Sequence, residues 1–139
     1  MSAITDLEKL LAHMKPKLNE GTFVFCTFPN KKYGDLAELN PICAYMESEG
    51  LTLILPQLEA DRANIPYEGH YSTITLQVHS SLEAVGLTAA VATRLTQHNI
   101  SANVVAAYFH DHIFVQSPYA AEAINALEKL AQEYQANNE

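Results

Sequence analysis

The chain has 139 residues, 48% of them hydrophobic and 17% charged, a composition that supports a packed core and excludes intrinsic disorder. Its length suits one ordinary domain or two small ones and excludes large multidomain machinery. Eight basic against sixteen acidic residues give a formal net charge of −8, which argues against a nucleic-acid or anionic-membrane partner.

The first element reads as a helix. Leu7, Leu10, Leu11 and Met14 fall at i, i+3, i+4 and i+7, Thr5 and Glu8 fit a capping box, and Pro16 ends the run. Residues 22–28 follow as a strand that is apolar on both faces, with Phe23 and Phe25 pointing one way and Val24, Cys26 and Phe28 the other. Such a strand needs cover on both sides, from another part of the chain or from a second chain. Residues 29–41 form a polar connection with one helical turn starting at Asp35. Strands at 42–46 and 51–55 are joined by Glu47-Ser48-Glu49-Gly50, a hairpin signal. Pro56 then opens a short helix, with Leu58 and Ile65 as its inward contacts.

From Tyr71 the pattern alternates: Ile74, Leu76 and Val78 form one row and Thr73, Thr75, Gln77 and His79 the other, as in a half-buried strand. Residues 84–98 read as a helix with Leu87, Val91 and Leu95 inward. Residues 102–109 and 113–115 are strands turning at His110-Asp111-His112. Ser117 and Pro118 open a last helix carrying Ile124, Leu127, Ala131 and Tyr134 on one face, which frays at residues 137–139.

The order strand, helix, strand, strand, helix after residue 71 is most of a ferredoxin-like unit, and residues 22–79 give a comparable, degenerate order. The fold class is therefore α+β, a ferredoxin-like duplication whose antiparallel sheets are covered by helices on one face. The two halves are set at 1–68 and 69–139. Cys26 and Cys43 are too far apart for a tight metal or redox pair and read as free thiols. No apolar run approaches the roughly 18 residues of a membrane span, and the N-terminus lacks a secretory pattern. Those features read as a cytoplasmic chain with no membrane partner.

Chemistry concentrates between the Tyr71 strand and its helix, in His79-Ser80-Ser81-Leu82-Glu83-Ala84-Val85-Gly86-Leu87. A helix N-terminus carries unpaired N–H groups and partial positive charge. Ser80 and Ser81 add hydroxyls, and Gly86 allows close backbone approach, a combination suited to a small carboxylate or phosphate. The alternative is structural: Ser81 caps the helix and Gly86 relieves packing. His79 and the pair His110/His112 are the candidates for a histidine-centred enzymatic site, but they have no third ligand at matching spacing, so no metal or cofactor is assigned. No phosphate loop, serine elbow or dinucleotide fingerprint is present.

The run TLQVHSSLEAVGLTAAVATRLTQHNISANVVAAYFHDHIFV, residues 75–115, resembles an ACT domain through Gly86, Asn99-Ile100, Asn103 and Asp111. EGLTLILP, residues 49–56, resembles the third strand of a preceding ACT-like unit. Together they resemble short bacterial proteins of two tandem ACT-like halves. The resemblance implies a non-catalytic regulatory protein that binds a small molecule such as an amino acid, and that assembles as a homo-oligomer. It places the ligand at Ser80, Ser81, Glu83, Ala84, Val85 and Gly86, with an amide contact from Asn103. Two departures stand out: Ser-Leu-Glu-Ala-Val-Gly replaces the usual Asp-Xaa-Pro-Gly turn, and no terminal strand follows the last helix. That sheet edge is left to residues 22–28 or to a second subunit.

Overall fold

A computed structural model describes residues 6–137. By packing, the chain divides into two compact units, one made of the residues up to Glu20 together with those from Ser72 onward, the other of Gly21–Tyr71. Residues 6–20 thus pack with those from Ser72 onward.

In the discontinuous unit, helix α1 (Leu7–Ala12) starts at Asp6, whose carboxylate accepts from the backbone N–H groups of Glu8 and Lys9. Thr5, expected in the cap, lies outside the described residues. Strand β1 (Pro16–Leu18) follows, reached through Lys15 at a left-handed φ of 42°.

The other unit contains β2 (Phe23–Phe28), β3 (Cys43–Glu47) and β4 (Gly50–Pro56), arranged β3-β4-β2 and antiparallel throughout. Its apolar face, built from Val24, Cys26, Leu51, Leu53 and Leu55, is covered by Leu39 of a single 3-10 turn and by Ala60 of helix α2 (Gln57–Arg62). Leu58 points outward, 59% exposed. Ala60 and Ile65 take the inward role, because a helix of under two turns buries only one stripe. On the opposite face Phe25 meets Tyr71 edge-on, with ring centroids 5.1 Å apart.

The discontinuous unit resumes with β5 (Tyr71–Leu76), whose first residue, Tyr71, still belongs to the other unit, then α3 (Leu87–Gln97), β6 (Asn103–Ala106), β7 (Asp111–Gln116) and α4 (Ala120–Asn137). β5 lies beside β7, and β7 pairs antiparallel with β6. The edge left open by the sequence is filled by β1, which runs antiparallel to β5 with Pro16 opposite Leu76 and Leu18 opposite Ile74. At the start of the same strand residues 22–28 also take part, with Phe23 of β2 pairing with Tyr71. A three-residue strand opening on proline gives no alternation to read, and proline is tolerated at the first position of an edge strand.

α1, α3 and α4 pack together over this sheet around Leu10, Leu11, Met14, Ile74, Leu95 and Leu127. The turn between β6 and β7 is earlier than expected, closed by the Ala107 N–H donating to the His110 carbonyl at 3.0 Å. Asp111 and His112 therefore belong to β7. Ser117 opens a 3-10 turn leading into α4 and is not a helix cap; its hydroxyl accepts from Ser72 at 3.2 Å.

Candidate functional site

Between β5 and α3 the chain makes no regular element. Gln77 donates its N–H to the Met14 carbonyl at 2.7 Å and Val78 is buried, which anchors the start of this connection. Ser81 folds the next turn locally: its hydroxyl accepts from the Glu83 N–H at 3.1 Å and its carbonyl from the Ala84 N–H at 3.0 Å. Ser81 therefore does not cap the helix. Gly86 holds the N-cap position at φ 103°, with no side-chain cap.

The first hydrogen bond of α3 runs from the Ala90 N–H to the Gly86 carbonyl. The first N–H groups of the helix have no intrahelical acceptor, and a cavity of about 130 Å³ lies beside this helix start. Its walls include Ser80, Ser81, Ala84, Gly86, Thr88 and Asp111. The Ala106–Asp111 register of the β6–β7 hairpin delivers the carboxylate. Burial pushes the Asp111 carboxyl upward, opposed by His112, the Ser80 hydrogen bond and His110. One small hollow thus offers hydroxyls, uncapped amides at a positive helix end, and an acid. That set of groups can hold the two ends of a small zwitterion.

Of the residues proposed from sequence, Ser80, Ser81, Ala84 and Gly86 line the cavity. Glu83 and Val85 do not, and Val85 is 82% exposed. Asn103 is also elsewhere: it sits three residues before Ala106, about 10 Å away along the strand, and its side-chain amide donates to the Phe114 carbonyl at 3.3 Å. Sequence reasoning missed Thr88 and Asp111 as lining residues. Thr88 was recoverable as the second residue of the helix, whereas Asp111 depended on hairpin register.

His79, His110 and His112 form a contiguous set of rings bridged by Phe109. His79 stacks near Phe109 at 5.1 Å, and its buried Nδ1 has no hydrogen-bond partner. The rings of His110 and His112 are 6.4 Å apart. His112 Nδ1 lies 2.9 Å from the Thr75 hydroxyl, which accepts from Asn19 at 2.8 Å. Burial, then the charge of His110, lowers the His112 pKa, against the pull of Asp111. Among the described residues no group of three or more His, Cys, Asp or Glu is placed to hold a metal ion. A larger hollow of about 360 Å³ lies in the other unit, lined by Tyr33, Asp35, Ala37, Ile42 and Cys43 among others.

The comparisons show the family. Residues 2–72 match one model of the ACT domain and residues 68–129 match another. The chain belongs to the ACT-domain family and carries two such domains in tandem. Among solved structures it is similar to a protein of unknown function from Vibrio cholerae, described as a "Possible Transport Protein". The two are 51% identical over 90% of this chain and 95% of that one, with a TM-score of 0.83. A protein from Agrobacterium tumefaciens is 15% identical over 84% of this chain and 87% of that one, at a TM-score of 0.69. The ligand-free regulatory subunit of aspartate kinase from Thermus thermophilus is 9% identical over 83% of this chain and 95% of that one, at 0.60. No curated protein matches. No helix among the described residues is long and apolar enough to cross a membrane.

Proposed function

We propose that this chain is a non-catalytic regulatory protein that binds a small amino acid, or a related metabolite carrying both an anionic and a cationic group. The observation that carries the reading is the meeting of the uncapped α3 N-terminus with Asp111 in one cavity. The ligand's carboxylate is received by the amides around Gly86 and Thr88 with the Ser80 and Ser81 hydroxyls, and its ammonium by Asp111. A volume of about 130 Å³, against roughly 300–1,000 Å³ for drug-sized ligands, restricts the guest to a few heavy atoms beyond the two charged ends. The likeness to regulatory subunits of aspartate kinase supports a regulatory role. Free Cys26 and Cys43 fit a reducing, cytoplasmic setting. The chain assembles as a homo-oligomer, a reading supported by the exposed apolar side chains along β3.

The test is a thermal-shift screen of the purified chain against the common amino acids. A ligand at 100 times its dissociation constant adds about 2.7 kcal/mol, which raises the midpoint by about 5–11 °C. If no amino acid moves the midpoint at millimolar concentration, the reading fails.

A further inference from the structure

The walls of the α3 cavity come from two separate segments. Ser80 and Ser81 belong to the connection between β5 and α3, and Ala106 and Asp111 to the β6–β7 hairpin. The segments meet at neighbouring positions. Inside the cavity the Ser80 hydroxyl is directed at the Asp111 carboxylate and favours its charged form. One residue earlier on the connection, the His79 ring packs against Phe109, with centroids 5.1 Å apart and planes inclined at 51°. That separation is in the usual range for aromatic contacts.

The ring contact is made of residues that a hairpin tip seldom carries. Tips are ordinarily built from glycine, asparagine, aspartate and serine, but this one presents Tyr108 and Phe109, 74% and 56% exposed. Tyr108 meets Phe109 edge-on at 4.9 Å and so supports its ring. His79 for its part keeps Nδ1 buried with no hydrogen-bond partner. A surface histidine escapes that desolvation cost by turning outward, whereas this one stays against Phe109. The hydrogen bonds of Ser81, to Glu83 and Ala84, are local to the turn. They shape the connection without tying it to the hairpin.

We propose that His79 and Phe109 are positioning residues of the cavity, clasping the β5–α3 connection to the hairpin and so fixing how far the serine hydroxyls stand from Asp111. The role rests on the ligand reading above; the clasp itself belongs to the unliganded chain. A guest with an anionic and a cationic group is measured by that separation, because hydrogen bonds weaken steeply away from their preferred length and angle. An incoming ammonium shares the Asp111 carboxylate with Ser80 but leaves the ring contact undisturbed. Fixing the walls in advance also spares the ligand the cost of ordering them.

The experiment uses NMR, amide hydrogen exchange and thermal shift on the full chain. In the wild type the ring current of Phe109 displaces the ring-proton resonances of His79. Phe109→Leu should abolish that displacement and speed exchange at residues 80–84 about tenfold, with exchange in β7 and α4 unchanged. Phe109→Tyr, which keeps the ring, should restore both, and His79→Ala should repeat the loosening from the other side. With each common amino acid as probe, the one that stabilises the wild type should bind Phe109→Leu about tenfold more weakly and Phe109→Tyr normally. Exchange at residues 80–84 that does not respond to Phe109→Leu overturns the clasp. Faster exchange with unchanged affinity overturns the positioning role. If no amino acid stabilises the wild type, the ligand reading falls and the role with it, while exchange still decides the clasp.

Discussion

A Cβ built on Gly86 would lie 2.9 Å from Cδ2 of Leu7, so the first helix of the chain closes directly over the N-cap of α3. That contact joins residues far apart in sequence at Gly86, one of the residues lining the candidate site. The left-handed φ of 103° independently disfavours a side chain at that position.

Gly86→Ala is therefore expected to cost about 1–3 kcal/mol, mostly backbone strain of about 1–2 kcal/mol with a smaller part from displacing the flexible end of Leu7. Urea unfolding of the variant measures it. A loss below about 0.3 kcal/mol would show that neither constraint operates.

Asp111→Asn should separate stability from binding. The Asp111 carboxyl is raised above its ordinary value of 3.8, chiefly by burial, so the folded state binds a proton more readily than the unfolded chain. That contribution is fully present below pH 3.8 and declines as pH rises through the folded-state value. The asparagine variant should thus melt at or above the wild-type midpoint at pH 7 and show a flatter stability profile above pH 4. It should also lose any shift induced by an amino acid. A variant that melts well below wild type at neutral pH contradicts the sign.

His112 titrates in the opposite sense. Its pKa is depressed below 6.5, so the stability it contributes is present above pH 6.5 and is lost as pH falls through the folded value. His112→Gln should remove that acid-side loss. Melting curves between pH 5 and pH 8 decide it, and identical slopes in wild type and variant would refute the assignment.

Residues 69–139 alone should not fold. They lack β1 and the fully buried Leu10, Leu11 and Met14, each worth about 1.5–3 kcal/mol, a sum comparable with a whole domain's stability of about 5–15 kcal/mol. Appending residues 6–20 after α4 through a flexible linker should restore a cooperative transition. A stable isolated segment would show that α1 and β1 are dispensable.

Arg94 and Glu133 make a two-pronged pair at 2.7 and 2.9 Å, yet Glu133 is largely in solvent. Glu133→Gln should cost no more than about 1 kcal/mol, and the loss should shrink in high salt. Chemical denaturation at low and high ionic strength checks both expectations.

Much of the site was legible because its signals are local. Ser80, Ser81 and Gly86 stand where a strand gives way to a helix, and hydroxyls and a glycine at such a junction have a direct physical meaning. Asn103 falls outside this cavity, because position along the chain does not say which end of a strand reaches a neighbouring helix. Asp111 could be seen as an acidic residue near a turn, but its place in the cavity depends on the turn closing at His110 and on Ala106 pairing with it. Leu58 was assigned inward from composition alone, on a helix too short to set its own facing.

Periodicity and breakers marked most of the helices and strands and their repeating order, and the resemblance of residues 49–56 and 75–115 pointed to the ACT family. The elements follow from side-chain spacing against fixed backbone repeats, which neighbours in sequence impose on one another. Only the tertiary structure decided that β1 completes the C-terminal sheet, that Leu7 closes over Gly86, and that Asp111 shares a hollow with the α3 amides. Each of those depends on hydrogen-bond register or packing between segments far apart in the chain, and that information arises only when the segments meet.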